Sequence, residues 1–533
     1  MKKLNIYRLK NDKASTNTDR FALSYVLAFL FILSLSGCSD DFLNKNPQDK
    51  LNSGNFWKTK TDAELALAGC YSQFQAQCYA NSNVTYWIYP IMLQGWEELT
   101  DNAYGSRDNG FRDLVIGNYN PNGDSKRVIK TLYPVSYNAI NSCNLFLENI
   151  EQLVDVMSAD EINQMKGEVM FLRAYAYYYL GACYGDVPIR VDATTIENQY
   201  TAKSTQIEVF EQCIKDIDMA IPMLSDKMYD GHVMRGAAQT LKAKVLLYMA
   251  TDYAGAAAAA KSVIDSKHYS LVDDYSSLFV DGSQDNNPEI IYSIKMYNIE
   301  GESPGSKKSH QNVIARWGNL HPTQEFIDAF ECTDGKPITE SPLYDEANPT
   351  INRDPRMELI IQPQWFDEVE INPVFGFVFV KGISQTMFDN PQDIFNDGTD
   401  YVHLRYADVL LMYAEAMIED NKGSDATVLE AINTVRARAY GVGITETDKY
   451  PSITTTATDE LRDIVRYERR VELALENSRY FDLKRWGIAE QVLNGFEGDP
   501  VNNRVFEKRH YKWPLPQTAL DNNPELVQNS DYN

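Results

Sequence analysis

Apolar and aromatic side chains recur at helical spacing over most of this sequence, and that spacing limits the fold more than any other feature. A stripe at positions i, i+4, i+7, i+8, i+11 and i+12 lies on one face of an α-helix. Residues 160–184 contain such a stripe, formed by Phe171, Tyr175, Tyr178, Tyr179, Ala182 and Cys183. A second runs through residues 402–418 as Val402, Tyr406, Val409, Leu410, Tyr413 and Met417. We interpret both stripes as ordinary helix core and expect a fold dominated by α-helices.

Further helical patterns come in pairs with short joins. They cover about 62–78, 130–150, 205–224, 234–250, 252–266, 425–440 and 459–477. The clearest pair spans residues 237–264, with a turn at Thr251-Asp252-Tyr253 followed by an alanine-rich helix whose small side chains permit close packing. Residues 401–440 form a second, looser pair. Hairpins of this kind bury their apolar faces by stacking, so the pattern predicts tetratricopeptide-like helical repeats.

Two long regions lack this periodicity. Between about 267 and 400, Gly, Pro, Asn and Asp accumulate, and only short strand-like runs occur, at 289–295 and 374–381. Residues 79–128 are similarly rich in loop-forming residues. We therefore expect one domain over 38–533, in which a helical scaffold (about 41–266 and 401–533) carries irregular insertions (about 79–128 and 267–400). Loops of that length in a compact protein are usually functional, so we expect the insertions to face a ligand.

The composition excludes several classes of protein. With 44% hydrophobic residues in 533, the chain has ample surface to bury and is not disordered. Its 75 acidic against 50 basic side chains, a net charge of −25, argue against nucleic acid or an anionic bilayer surface as electrostatic partners.

The first forty residues predict the compartment. Six basic side chains within residues 1–20 precede the uncharged apolar stretch 21–36, which is short for a transmembrane helix and typical of a secretory signal peptide. The stretch ends in Leu35-Ser36-Gly37-Cys38, which resembles the lipobox of bacterial lipoproteins. We expect residues 1–37 to be removed and Cys38 to be lipidated. Several acyl chains would anchor the protein stably.

Five stretches carry a resemblance to a known family. They are Asp41-Phe42-Leu43 with Pro47 and Phe56-Trp57; residues 173–190 (RAYAYYYLGACYGDVPIR); residues 403–416 (HLRYADVLLMYAEA) continuing to Arg438; residues 468–487 (ERRVELALENSRYFDLKRWG); and Trp513-Pro514-Leu515-Pro516 with Asn523-Pro524 and Gln528-Asn529. The five stretches, in this order along the chain, resemble those of the SusD/RagB family of Bacteroidetes outer-membrane lipoproteins. The resemblance covers nearly the whole chain after Cys38.

The resemblance implies a fold and a function. The fold is α-helical, with four tetratricopeptide-like units and an irregular ligand face. The function is to bind a nutrient, most often an oligosaccharide, at the cell surface and to cap a TonB-dependent transporter of the SusC type, without catalytic activity and without a cofactor. A peptide receptor of the same family is the alternative within the binding class. A secreted glycoside hydrolase on a helical scaffold is the alternative from another class.

The motifs that carry the resemblance also predict ion pairs. Glu468, Glu472 and Glu476 recur at i, i+4 and i+8, a like-charge stripe that would be destabilising if unpaired. Bidentate arginine–carboxylate pairs between helices would remove that cost. We expect such pairs from Arg405, Arg436, Arg438, Arg469, Arg470 and Arg485, and we expect these motifs to hold the repeats together and not to touch ligand.

Aromatic and polar side chains suited to a sugar cluster in two places. A sugar site combines a flat aromatic face with a few polar groups. The first cluster lies in residues 86–107 and contains Tyr86, Trp87, Trp96, Asp101, Asn102 and Tyr104. The second is Arg316-Trp317, and the family commonly places a ligand-contacting aromatic residue in this region. We predict that both clusters bind the ligand.

Other chemistries have little support. The six histidines are not at metal-ligand spacing, and there is no HExxH motif or P-loop. Calcium could be held by Asp393, Asn396, Asp397 and Asp400, but the EF-hand spacing fails at Leu404. Glu97 and Glu98, beside Trp96, would be the carboxylates of a hydrolase, yet no motif supports them.

Overall fold

The structure is a computed structural model that describes residues 56–76, 94–106, 111–121, 127–280, 282–296, 318–364, 373–383 and 398–532. Its α-helices within these ranges are α1 (Lys60–Ala76), α2 (Arg112–Val115), α3 (Arg127–Asn149), α4 (Ala159–Tyr184), α5 (Gln206–Ala220), α6 (Arg235–Met249), α7 (Tyr253–Ser266), α8 (Gln324–Ala329), α9 (Arg356–Ile360), α10 (Tyr406–Glu419), α11 (Ala426–Ala439), α12 (Thr458–Glu472), α13 (Ser478–Arg485), α14 (Ala489–Leu493) and α15 (Gln517–Asn522). Its strands there are β1 (Ala103–Gly105), β2 (Ile290–Ile294), β3 (Leu320–Pro322), β4 (Ile361–Pro363), β5 (Phe377–Phe379) and β6 (Tyr401–Arg405).

Local capping marks the start of several long helices. Ser158 and Thr205 each close a capping box, with Glu161 and Glu208, at the starts of α4 and α5. Helix α4 ends at Gly185, whose φ of 75° lies in the left-handed region that glycine adopts at little cost. The boundaries of these helices are therefore determined by a few neighbouring residues.

The long helices pack against their neighbours in sequence, as a stack of helical hairpins does. Helix α3 packs on α4, α4 on α5, α5 on α6, and α6 on α7. The α6–α7 pair is the hairpin predicted for residues 237–264, and the Asp252 side chain caps α7 by accepting from the Gly255 N–H. Helix α7 then packs on α10, which also contacts α11 and α12. The predicted fold class, an α-helical repeat fold, is therefore confirmed.

The predicted aromatic stripe of α4 lies in the core. Phe171, Tyr175, Tyr178 and Tyr179 are all at most 5% exposed. Phe171 and Tyr175 stack with their ring centroids 5.8 Å apart. The Tyr175 hydroxyl shares a hydrogen bond of 2.7 Å with His403 Nδ1 and lies 3.4 Å from the Tyr179 hydroxyl. The interpretation of this stripe as helix core is confirmed.

The strands form three two-stranded antiparallel sheets, β1–β3, β2–β6 and β4–β5. Strands β2 and β5 lie within the strand-like runs predicted at 289–295 and 374–381. The β2–β6 sheet ties the irregular region to the start of α10, because the Tyr406 N–H donates to the Glu289 carbonyl oxygen.

Buried arginine–carboxylate pairs join the C-terminal helices to the irregular region, as predicted for Glu468, Glu472 and Glu476. Arg405 donates to Glu472 (2.7 Å) and to both oxygens of Glu476 (2.7 and 2.8 Å). Glu472 also accepts from Arg438 and from Arg356 (3.2 Å), while Glu468 accepts from Arg436 and from Arg356 (2.9 Å). Burial alone raises the pKa of Glu472, but the three guanidinium groups lower that pKa well below its usual value.

Residues 1–58 and residues 59–533 form two compact units, each defined by contacts among its own residues. Every helix and strand named above lies in the second unit. No helix in the described ranges combines the length and the apolar character needed to cross a membrane. The predicted signal peptide and Cys38 lie outside the described residues, and their processing stays a prediction.

Candidate functional site

Trp96, predicted to face ligand, lies in the interior. It belongs to a 3₁₀ helix, Gln94–Leu99, and its side chain is fully buried. Its ring stacks on Trp513, with centroids 5.5 Å apart and planes at 14°. Tyr480, Phe481 and Phe111 surround the rest of it at 5.2 to 5.8 Å. The expectation of an exposed aromatic face at Trp96 is wrong for this structure, because other aromatic rings already cover it.

Asp101 and Asn102 are also buried and are held by arginines of the C-terminal helices. Arg479 donates to both oxygens of Asp101 (2.9 and 2.8 Å), and Arg470 lies 2.9 Å from the same carboxylate. Arg470 also donates to the Asn102 side-chain oxygen (2.8 Å). Burial alone raises the pKa of Asp101, but the two guanidinium groups lower it to well below its usual value. Both side chains therefore link the segment after the 3₁₀ helix to α12 and α13.

Tyr104, the last residue predicted for the first ligand cluster, lies on β1. Strand β1 pairs with β3 so that Tyr104 lies opposite His321. The Tyr104 ring is 1% exposed, and its hydroxyl accepts from the Val374 N–H (2.8 Å). The Ser106 N–H donates to the Asn319 carbonyl oxygen, so the end of the first cluster lies beside a residue that follows the second cluster in sequence. Tyr86, Trp87, Arg316 and Trp317 lie outside the described residues, and their role stays a prediction.

The carboxylates considered for hydrolysis are not in an open cleft. Glu97 and Glu98 are 1% and 0% exposed. Glu97 accepts from the Leu475 N–H (2.7 Å) and from the Asn102 amide (3.0 Å), and burial raises its pKa. Of the calcium candidates, Asp393, Asn396 and Asp397 lie outside the described residues, and Asp400 pairs with Lys295.

A cavity of about 830 Å³ opens elsewhere, between α1, the N-terminal half of α4, the loop 225–234 and β2. Its wall, called here the cavity wall, consists of Lys60, Glu64, Leu67, Ala68, Tyr71, Ser72, Asp160, Glu161, Gln164, Met165, Glu168, Ser225, Lys227, Asp230, Gly231, His232, Met234, Tyr292, Ser293, Ile294 and Lys295. In the sequence, Tyr86 and Trp87 come after α1, and Arg316 and Trp317 come between β2 and β3.

Glu168 organises one side of the cavity wall. This carboxylate is 2% exposed and accepts from the Tyr71 hydroxyl (2.5 Å), the Gln164 amide (3.0 Å) and His232 Nδ1 (2.9 Å). Its hydrogen bond to Glu168 raises the pKa of His232. The Tyr71 hydroxyl in turn accepts from the Val233 N–H (2.9 Å), which joins α1, α4 and the loop 225–234. This side of the wall is therefore preorganised by hydrogen bonds.

Lys295 forms the opposite edge of the cavity wall. Its ammonium lies 2.9 Å from Asp285 and 2.7 Å from Asp400. Burial alone lowers the pKa of Lys295, but its hydrogen bonds to both carboxylates raise that pKa above its usual value, so the group stays charged. Beside it, the Ser293 carbonyl oxygen accepts from the Tyr229 hydroxyl (3.0 Å). The wall therefore combines apolar side chains such as Leu67 with fixed polar groups, the combination found in small-molecule sites.

The sequence prediction missed this wall because most of it lies on helices assigned to the scaffold. A weak signal exists in α1, where Lys60, Glu64, Tyr71 and Ser72 share one helical face of mixed polar and aromatic character. The same pattern occurs on solvated helix faces, so spacing alone does not distinguish the two.

Two family models match the chain. One, described as the SusD family, matches residues 367–532, and the other, described as starch-binding associating with outer membrane, matches residues 41–247. SusD-like protein P2 of Formosa agariphila is 26% identical over 533 residues, which cover 95% of this chain and 98% of that protein. The starch-binding protein SusD of Bacteroides thetaiotaomicron is 24% identical over 456 residues, covering 74% and 76%.

Among solved structures, a SusD-like carbohydrate-binding protein of Bacteroides fragilis matches with a TM-score of 0.75 and 26% identity. The match covers 89% of this chain and 100% of that one. The helical hairpin stack, the matching models at both ends of the chain and these relatives agree with the resemblance seen in the sequence. The chain belongs to the SusD/RagB family.

Proposed function

We propose that this protein is a lipid-anchored protein of the outer membrane that binds a nutrient oligosaccharide in the cavity and delivers it to a SusC-like, TonB-dependent transporter. The observation that carries the proposal is a preorganised cavity of about 830 Å³ in a chain of the SusD/RagB family. The names of two relatives support a carbohydrate as the class of ligand, since one is named a starch-binding protein and another a carbohydrate-binding protein.

The chemistry of the cavity wall suits a sugar. Its volume lies in the range of about 300–1,000 Å³ that takes a small ligand. Leu67, Met165 and Tyr71 supply the apolar contacts that the C–H faces of a pyranose need. The hydroxyl oxygens of Ser72 and Ser225, whose hydrogens are donated to the Gly69 carbonyl oxygen and Gln164 Oε1, can accept from sugar hydroxyl groups. A ligand with alternating apolar and polar faces therefore fits this wall better than a purely apolar one.

Binding without turnover is the second part of the proposal. In the cavity wall, Glu168 is occupied by three donors, an arrangement typical of a structural carboxylate. The pair Glu97 and Glu98 is buried and so not poised beside a bound substrate. A catalytic acid must reach the proton that it transfers.

A panel screen tests the proposal. The mature chain, residues 38–533, is run on affinity gels containing starch, laminarin, xylan, galactomannan or pectin, and against a mixed peptide library in a parallel pull-down. We expect retardation by at least one glycan with no increase in reducing ends. Capture of peptides alone would replace the proposal with the peptide-receptor alternative, and release of reducing ends would establish the hydrolase.

Delivery is tested separately. The chain is expressed with its lipid anchor beside its candidate transporter, and affinity purification from detergent-solubilised outer membranes should recover both proteins. A Cys38→Ala variant should leave the membrane fraction. Recovery of this chain without any transporter would contradict the delivery step but not glycan binding.

A further inference from the structure

The charges along the cavity wall point to the class of ligand that this site accepts, an inference that rests on the proposed function. Three ammonium groups line the described wall, those of Lys60, Lys227 and Lys295. Five carboxylates line it, and they are Glu64, Asp160, Glu161, Glu168 and Asp230. With His232 neutral, this part of the wall is therefore net negative.

Each of the three ammonium groups already has a carboxylate partner. Lys60 lies 2.7 Å from Glu161, and Lys227 lies 2.7 Å from Asp230. Lys295 is held between Asp285 and Asp400, as described above.

The same holds for the histidine of the wall. His232 donates through Nδ1 to Glu168, and protonation strengthens that contact instead of freeing a charge for the ligand. The described cations of the cavity wall are therefore neutralised before a ligand enters.

We propose that the cavity selects uncharged oligosaccharides and discriminates against glycans that carry carboxylate or sulfate groups. A sulfate or uronate entering the cavity would compete with a carboxylate for an ammonium group and would face the remaining carboxylates of the wall. The carboxylates of Glu64, Glu161 and Asp230 are 41–51% exposed, so the repulsion acts largely through water and is strongest at low salt. Neutral hydroxyl groups can accept from the ammonium groups and donate to the carboxylates without breaking any ion pair.

Matched pairs of polysaccharides test this selectivity. The neutral glycan that binds best in the panel is compared with its own sulfated derivative, for example laminarin with sulfated laminarin, by affinity gel electrophoresis at 50 mM salt. Polygalacturonate, alginate and chondroitin sulfate serve as natural anions. We expect the anionic member of the pair to bind at least tenfold more weakly. We also expect the difference to shrink as salt rises and screens the repulsion.

The outcomes separate this inference from the proposed function. Equal or tighter binding of the anionic glycan would overturn the inference and leave glycan binding intact. A chain that binds no glycan of either kind would overturn the proposed function and the inference with it.

A single substitution tests the mechanism of selectivity. Glu161→Gln leaves Lys60 without its 2.7 Å partner, while glutamine can still close the capping box of α4. The matched control is Glu151→Gln, which removes the partner of Lys166 (2.6 Å) outside the cavity wall. The ratio of neutral to anionic affinity should fall at least threefold in Glu161→Gln and stay within 1.5-fold (about 0.2 kcal/mol) of wild type in Glu151→Gln. An unchanged ratio in both variants would contradict the role of the wall charges.

Discussion

Replacing Trp96 with alanine distinguishes a core residue from a ligand wall. An aromatic side chain of this kind buries roughly 150–250 Å², and its truncation to alanine in a core costs about 3–5 kcal/mol. Trp96 is fully buried and contacts four aromatic rings. We therefore expect Trp96→Ala to lower the free energy of unfolding by about 4 kcal/mol, in the upper part of that range.

A phenylalanine at this position refines the prediction. The Trp96 indole N–H has no hydrogen-bond partner among the described residues, and an unpaired buried donor itself costs about 1–3 kcal/mol. Trp96→Phe removes that donor while keeping an aromatic ring, so this variant should lose less unfolding free energy than Trp96→Ala, below about 2 kcal/mol.

The assay is equilibrium unfolding in guanidinium chloride followed by circular dichroism, with glycan affinity measured under native conditions. Tyr200→Ala is the control, because this tyrosine is 51% exposed and should change stability by no more than about 0.5 kcal/mol. If Trp96→Ala were as stable as wild type and yet lost glycan binding, the assignment of Trp96 to the core would be refuted.

Two further substitutions test the buried charges. Asp101→Asn leaves Arg470 and Arg479 without their shared carboxylate and should cost about 3–5 kcal/mol at pH 7. Because the folded-state pKa of Asp101 lies below its unfolded value of about 3.9, this difference should shrink as the pH falls below that value, which denaturation at pH 3 and pH 7 would reveal; a difference independent of pH would contradict the pairing. The effect of His232→Gln on stability should have the opposite pH dependence. Because the pKa of His232 is raised in the folded state, protonated His232 stabilises the fold below about pH 6.5, and this stabilisation is lost as the pH rises through the folded-state pKa. In thermal melts the variant and wild type should therefore differ by less than about 1 kcal/mol at pH 5 and should not differ at pH 9.

Local patterns were sufficient to predict the helical scaffold. The hairpin at residues 237–264 could be predicted because small residues, a turn and a capping aspartate all lie within one short stretch. The pairing of Glu472 could be predicted too, because three like charges on one helical face need partners. The contribution of Arg356 could not, since this arginine lies more than a hundred residues away in a stretch with no helical periodicity.

The candidate site depended on tertiary packing and was only partly predictable. The sequence around Trp96 is the same whether its ring faces solvent or the core, and only contacts with distant residues such as Trp513 and Tyr480 decide between the two. Tyr71, Glu168 and His232 lie on three separate elements, and nothing in their own segments indicates that they meet. The β1–β3 pairing, by contrast, places Tyr104 of the first predicted cluster opposite His321, a few residues after the second cluster in sequence.

Blocking the cavity tests the central claim most directly. Ala68 is an exposed alanine of the cavity wall on α1, and Ala258 is an exposed alanine on α7 that does not line the cavity. Ala68→Trp fills the cavity without removing a core contact, and Ala258→Trp makes the same substitution elsewhere. Titration calorimetry with the best-binding glycan should show at least a tenfold loss of affinity, about 1.4 kcal/mol, for Ala68→Trp and a change below twofold for Ala258→Trp. Wild-type affinity in both variants would contradict the assignment of the ligand site to this cavity.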